Sequence, residues 1–102
     1  MAYLDGKVVL VIGSGGEAHR AVAVALAQAG AHVAILGAAG DLAAEAALHS
    51  IANEIWALGR RSTVVPFTPD GDAAAFAAAV EQVSQALGGA DVVVRCDAVL
   101  RA

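Results

Sequence analysis

Val8-Val9-Leu10-Val11-Ile12-Gly13-Ser14-Gly15-Gly16-Glu17-Ala18-His19-Arg20 is the stretch whose reading decides the fold. Five apolar residues run without a break into a glycine-rich turn, a helical stretch follows, and Ala31 to Leu36 forms a second apolar run. A strand buried on both faces reads as a continuous apolar run, and a parallel partner requires a crossover helix. The segment is therefore a βαβ unit. Such a unit aims the N–H groups at the start of its helix toward an anion, a phosphate above all.

Within the helix, Ala18, Ala21, Val22, Ala25, Leu26 and Ala29 recur at helical spacing, with Glu17, Arg20 and Gln28 opposite. The first set is expected to face the sheet, its alanines letting the helix lie close to the strands. Gly30 stands where a helix end favours a left-handed residue.

A chain of 102 residues suits one domain spanning 1–102, and a 59% hydrophobic composition excludes intrinsic disorder. The net charge of −4 offers no basic footprint for nucleic acid. No helix has a basic face suited to a membrane surface, and no apolar stretch free of charge or glycine reaches spanning length. The acidic Asp5 stands where a secretion signal is basic, so a cytoplasmic location is expected. Cys96, the only cysteine, is expected to be a small buried residue. His19, His32 and His49 lack metal-ligand spacing, so no metal site is expected.

Around the unit, Met1 to Lys7 is a lead-in with a turn at Asp5-Gly6. After the second strand, Gly37 to Gly40 is a connection, and Asp41 can cap a helix to about Leu58 with Leu48, Ile51, Ala52, Ile55 and Leu58 on its core face. Trp56 lies off that stripe and is expected to be partly buried, covering the neighbouring edge strand or anchoring a partner. Ser62 to Phe67 forms a third strand, placed at a sheet margin by Pro66. Thr68 to Asp72 is turn material, and Asp72 can cap a helix carrying Phe76, Val80, Val83 and Leu87 and stopped by Gly88-Gly89. Asp91 to Arg95 is a fourth strand, which a 3-2-1-4 order leaves as an apolar edge.

Leu4 to Gly13, then Arg20 to Ala23 and Ala27 to Ala31, resemble the N-terminal part of short-chain dehydrogenases/reductases, as do Ala57 to Arg61 and Leu87 to Val94 farther on. The resemblance implies a Rossmann-like α/β three-layer sandwich, with a parallel sheet of about four strands in order 3-2-1-4, and a cofactor, NAD or NADP. The family's T-G-x-x-x-G-x-G turn falls on Ile12 to His19, where only Gly13 survives in register. Its N-N-A-G motif falls on Arg95-Cys96-Asp97-Ala98, and Thr68 replaces the acidic residue often found after strand three. The family's catalytic tyrosine and lysine, four residues apart on a later helix, have no counterpart. Tyr3 and Lys7 share that spacing but precede the first strand, at its end opposite the turn.

In another register, Gly13-Ser14-Gly15-Gly16-Glu17-Ala18 satisfies G-x-G-x-x-A, a dinucleotide fingerprint in which the small third residue contacts the strand. The candidate cofactor-binding residues are thus Gly13, Ser14, Gly15, Gly16, Ala18 and Thr68; no catalytic residue is assigned. Unless Glu17 turns to water or pairs with Arg20, its carboxylate repels a phosphate ~4 Å away by roughly 4 kcal/mol at an effective dielectric near 20. Dinucleotide binding should then be weak. Neither Gly37 nor Ala38 supplies the acid or arginine that would choose NAD or NADP. Three functions follow: the NAD(P)-binding half of a dehydrogenase, without activity in the isolated chain; a non-catalytic interaction or regulatory subunit, in a homo-oligomer or with a complementing chain through strand four; or a mononucleotide or phosphate module.

Overall fold

The computed structural model describes residues 3–68 and 70–96. The element order is β1 (Val8–Ile12), α1 (Glu17–Gln28), β2 (His32–Gly37), α2 (Leu42–Ala57), β3 (Ser62–Pro66), α3 (Ala73–Leu87) and β4 (Val92–Arg95). All strand pairs are parallel, in the order β3-β2-β1-β4. This is the expected Rossmann-like arrangement. Leu10 at the centre pairs with Ala34 on one side and Val93 on the other.

Alternation along the strands divides the core into two layers, because successive side chains point to opposite faces. Val9, Val11, Val33 and Ile35 pack with Ala23 and Ala27 of α1 and Leu48, Ile51 and Ile55 of α2. On the other face, Val8, Leu10, Ile12, Ala34 and Leu36 meet Ala79, Val83 and Leu87 of α3. Every β1 residue is at most 4% exposed, which explains a run with no polar alternation.

Side chains at the strand and helix starts fix the geometry. Asp41 and Asp72 accept from the N–H groups of Ala44 and Ala75, each at 2.8 Å, as the sequence leads one to expect of N-caps. Asp91 accepts from the Val8 N–H through Oδ2 at 2.8 Å, while its own N–H donates to the Val8 carbonyl. That reciprocal pair sets the register of β4. Pro66 ends the edge strand β3, opposite Gly37.

Three expectations are corrected. In α1 the buried residues are His19, Ala23 and Ala27, whereas Ala18, Ala21 and Ala25 are exposed; alanine on every side leaves the phase undetermined, and a histidine reads as polar. Leu58 is not in the core face of α2 but is the C-cap, 41% exposed. Trp56 is 66% exposed rather than partly buried.

Leu10→Ala should cost about 2–5 kcal/mol, the range for emptying a closed core position, whereas Leu58→Ala should change stability by under about 0.5 kcal/mol. Urea denaturation measures both; equal costs would contradict the assignment of Leu58 to the surface.

Candidate functional site

The turn after β1 is held from within. The Gly13 N–H donates to the Leu36 carbonyl at 3.0 Å, continuing the ladder. The Gly15 N–H donates to Nδ1 of His19 at 3.0 Å, and the Gly16 N–H to Oγ of Ser14 at 3.3 Å. His19, 1% exposed, has its Nε2 2.9 Å from the Val11 carbonyl. A ring nitrogen that accepts from an N–H carries no proton, so Nε2–H is the donor and the imidazole is the neutral Nε2–H tautomer.

The ring occupies the space beside Gly13. A Cβ on Gly13 would lie 2.6 Å from Cγ and 2.8 Å from Nδ1 of His19. The contact between α1 and the end of β1 is thus made by His19, not by Ala18, which is on the exposed side of the first turn. The helix–strand part of the G-x-G-x-x-A reading is thereby corrected: helical geometry places His19, Ala23 and Ala27 on one stripe, and Ala18 falls off it. His19 is the residue of this turn that sequence reasoning missed. The available signal was a bulky side chain at the last glycine position of the T-G-x-x-x-G-x-G register.

Gly16 is the N-cap of α1 and supplies no side-chain cap, so the first-turn N–H groups lack intrahelical partners. Glu17 does pair with Arg20, Oε1 to Nη1 at 3.0 Å, and its side chain is 80% exposed. Arg20 also forms a two-pronged contact with Glu54 of α2, at 2.6 Å and 2.8 Å. The repulsion expected of Glu17 is therefore offset in the way the sequence allowed. Hydrogen bonding to Glu54, then to Glu17, raises the Arg20 pKa, and hydrogen bonding to Arg20 lowers that of Glu54.

Beyond the turn, a cavity of about 330 Å³ opens at the carboxyl ends of β2 and β3, lined by Ala38, Ala39, Gly40, Pro66, Phe67 and Thr68. Thr68 is exposed at this cavity. Phe67 is buried and meets Phe76 of α3 edge-to-face, with centroids 5.9 Å apart. Gly37 brings the β2 end against the turn: a Cβ there would lie 2.6 Å from the Gly13 carbonyl oxygen, a steric reason for the lack of an acidic side chain at that position. A second cavity, about 340 Å³, lies between β3 and α3 and is lined by Thr63, Val64, Val65, Gln82, Gln85 and Ala86. It is away from the strand ends where open parallel sheets bind ligands.

The other candidates stay apart. Tyr3 and Lys7 are exposed at the amino end of β1, opposite the turn. His32 accepts from the Arg61 N–H, and His49 lies beside Glu45 on α2. Among the described residues no cluster of histidine, cysteine, aspartate or glutamate is suited to a metal, and no helix is long and apolar enough to cross a membrane. Cys96 is buried in the layer with α1 and α2. Asp97 and Ala98, from the N-N-A-G comparison, lie outside the described residues.

Solved structures share this architecture. A short-chain type dehydrogenase/reductase from Mycobacterium marinum superimposes with a TM-score of 0.69 at 30% identity, over 88% of this chain and 34% of its own. A blue fluorescent protein from a metagenomic library, in complex with NADPH, gives 0.75 at 30% identity, over 88% and 35%. Carveol dehydrogenase from Mycobacterium avium, in complex with NAD, gives 0.72 at 25% identity, over 91% and 36%. The chain is a short-chain dehydrogenase/reductase-like unit. It spans about a third of the length of these relatives. No protein-family model matches the sequence, and no curated protein matches it. NAD(P) binding is thus a property of this fold, seen with NADPH and with NAD in two of those proteins.

At about 330 Å³ the cavity beside Thr68 is at the lower end of small-molecule site volumes. In the observed turn the N–H groups of Gly13, Gly15 and Gly16 all donate within the protein, which leaves the first-turn N–H groups of α1 as the donors for an anion.

Gly13→Ala should destabilise the unit by about 1–3 kcal/mol, the cost of overpacking against a ring held by two hydrogen bonds. In a His19→Gly background that cost should fall below about 0.5 kcal/mol, since the three nearest atoms to the added carbon all belong to His19. Thermal unfolding of the four proteins measures the coupling, and additive costs would refute it. For Glu54, a lowered folded pKa means that its stabilising contribution is present above the ordinary carboxylate value and lost as pH falls through the lowered one. Carboxyl-carbon NMR titration should find its midpoint below the ordinary range and find it restored in Arg20→Gln.

Proposed function

We propose that the chain is the NAD(P)-binding unit of a short-chain dehydrogenase/reductase-type oxidoreductase, holding the adenosine end of the dinucleotide and not transferring hydride by itself. One observation carries this reading: the Gly13–Gly16 turn, the start of α1 and the cavity beside Thr68 share the carboxyl edge of one parallel sheet. The order 3-2-1-4 reverses direction at β1, the place where open α/β sheets receive their ligands. Gly13, Gly15 and Gly16 keep side chains out of the cleft. Ser14 and Thr68 contribute hydroxyls, and Ala18 lies in the first turn of α1. Gly37 and Ala38 offer neither carboxylate nor guanidinium, so NAD and NADP should bind alike.

A bound nicotinamide supplies a hydride acceptor or donor. The proton transfer that accompanies reduction or oxidation of a carbonyl or alcohol needs a positioned acid or base. The chain's only tyrosine and lysine, Tyr3 and Lys7, are at the far end of β1. Calorimetry should detect NAD⁺ and NADP⁺ with similar affinities, without cofactor-dependent turnover by the 102-residue chain. Ala38→Tyr, at an exposed residue lining the cavity, should weaken both by about tenfold or more while leaving the fold intact. Binding indifferent to Ala38→Tyr would refute the placement, and turnover by the chain would refute the non-catalytic reading.

A second reading, an interaction subunit, is favoured by β4. Val92 and Val93 are 45% and 42% exposed on an edge strand of the described sheet. An apolar edge is a template for another chain, a second copy or a complementing protein. Sedimentation at micromolar concentration should show self-association that Val93→Lys abolishes; a monomer insensitive to this change would exclude self-pairing through the edge.

A further inference from the structure

We infer that His19 is an internal lock on the phosphate turn, which makes the site favour the adenosine end of a nucleotide over its phosphates; this rests on the nucleotide-binding reading above. A phosphate-binding turn works by leaving several N–H groups free to converge on the anion. Here an imidazole takes one of them from inside. Its Nδ1 accepts from the Gly15 N–H at 3.0 Å, and Nε2 is anchored 2.9 Å from the Val11 carbonyl. An N–H engaged with a buried acceptor is not available to a phosphate oxygen.

The lock is built in three ways. The ring is 1% exposed, so water does not compete for its contacts. Gly13 leaves the space that the ring fills, with His19 Cγ 2.6 Å from where a Cβ would stand. Gly15 has φ +84°, a conformation that favours glycine and in which its N–H meets Nδ1. With the Gly13 and Gly16 N–H groups also engaged, a phosphate is left only the first turn of α1, beside the Glu17–Arg20 pair. Cavity contacts to an adenosine are untouched by this arrangement, since no residue of the turn lines that cavity.

The test compares NAD⁺ with adenosine, which lacks phosphate and so reports the cavity alone, in the whole chain and in His19→Gly. NMR titration gives both affinities, with circular dichroism checking the fold. Freeing one N–H for a charged oxygen should strengthen NAD⁺ binding by about tenfold, and adenosine binding should stay within about twofold. A general loosening of the structure would move both ligands together, and that result, or no change for NAD⁺, overturns the lock while leaving the nucleotide reading intact. Absence of binding by either ligand to either protein overturns the nucleotide reading and the lock with it. If His19→Gly does not fold, amide exchange in the unaltered chain decides. A Gly15 amide protected well beyond that of Glu17, whose first-turn N–H has no intrahelical partner, supports the lock, and equal, fast exchange overturns it.

Discussion

How closely α1 lies to the end of β1 is the constraint on which the carboxyl edge of the sheet depends. Close approach of a helix to a strand ordinarily needs a small residue at the contact. In this chain the contact residue is His19, and the space it requires comes from the missing Cβ of Gly13. The ring is then stable only because both nitrogens find backbone partners, since a buried polar atom left unpaired costs about 1–3 kcal/mol. One substitution thus links packing, the tautomer of a side chain and the donors available in the turn.

The remaining architecture follows from two-sided burial of the central strands. β1 and β2 are covered by α1 and α2 on one face and α3 on the other, so their side chains divide by parity between two apolar layers. Polar chemistry is displaced to the strand ends, where the ladder stops and loops begin. At the amino ends, Asp91, His32 and Ser62 hold the strands in register through backbone contacts. At the carboxyl ends, Gly37 and the glycine turn leave a cleft with few side chains. Arg20 joins α1 to α2 across the surface by pairing with Glu54, while also drawing Glu17 aside. Such exposed pairs contribute little to stability, but this one alters the charge that an approaching anion meets.

The strands, the helix caps and most of the core were legible in the residues, because each depends on local chemistry, while the strand order followed from the family resemblance. Asp41 and Asp72 precede alanine-rich helices, Pro66 marks an edge, and the valine and isoleucine runs have no polar face. The phase of α1 was not legible. With alanine at positions 18, 21, 23, 25, 27 and 29, apolar periodicity does not distinguish one side of this helix from another. Leu58 and Trp56 were misplaced for a related reason: near a helix end, exposure depends on where the neighbouring elements stop.

By itself the sequence determined a parallel α/β unit with a glycine turn on its central strand, since apolar runs, glycines and caps act through the backbone within a few residues. It also determined that Tyr3 and Lys7 precede β1. Only the tertiary structure decided that His19 faces inward and engages Gly15, that Arg20 is shared between two helices, and that Ala38 to Gly40 meet Pro66 to Thr68 around a cavity. Each of these joins groups from different turns or elements, and a side chain able to be a surface polar group or a buried, fully paired one is assigned its role only by the atoms that packing brings against it.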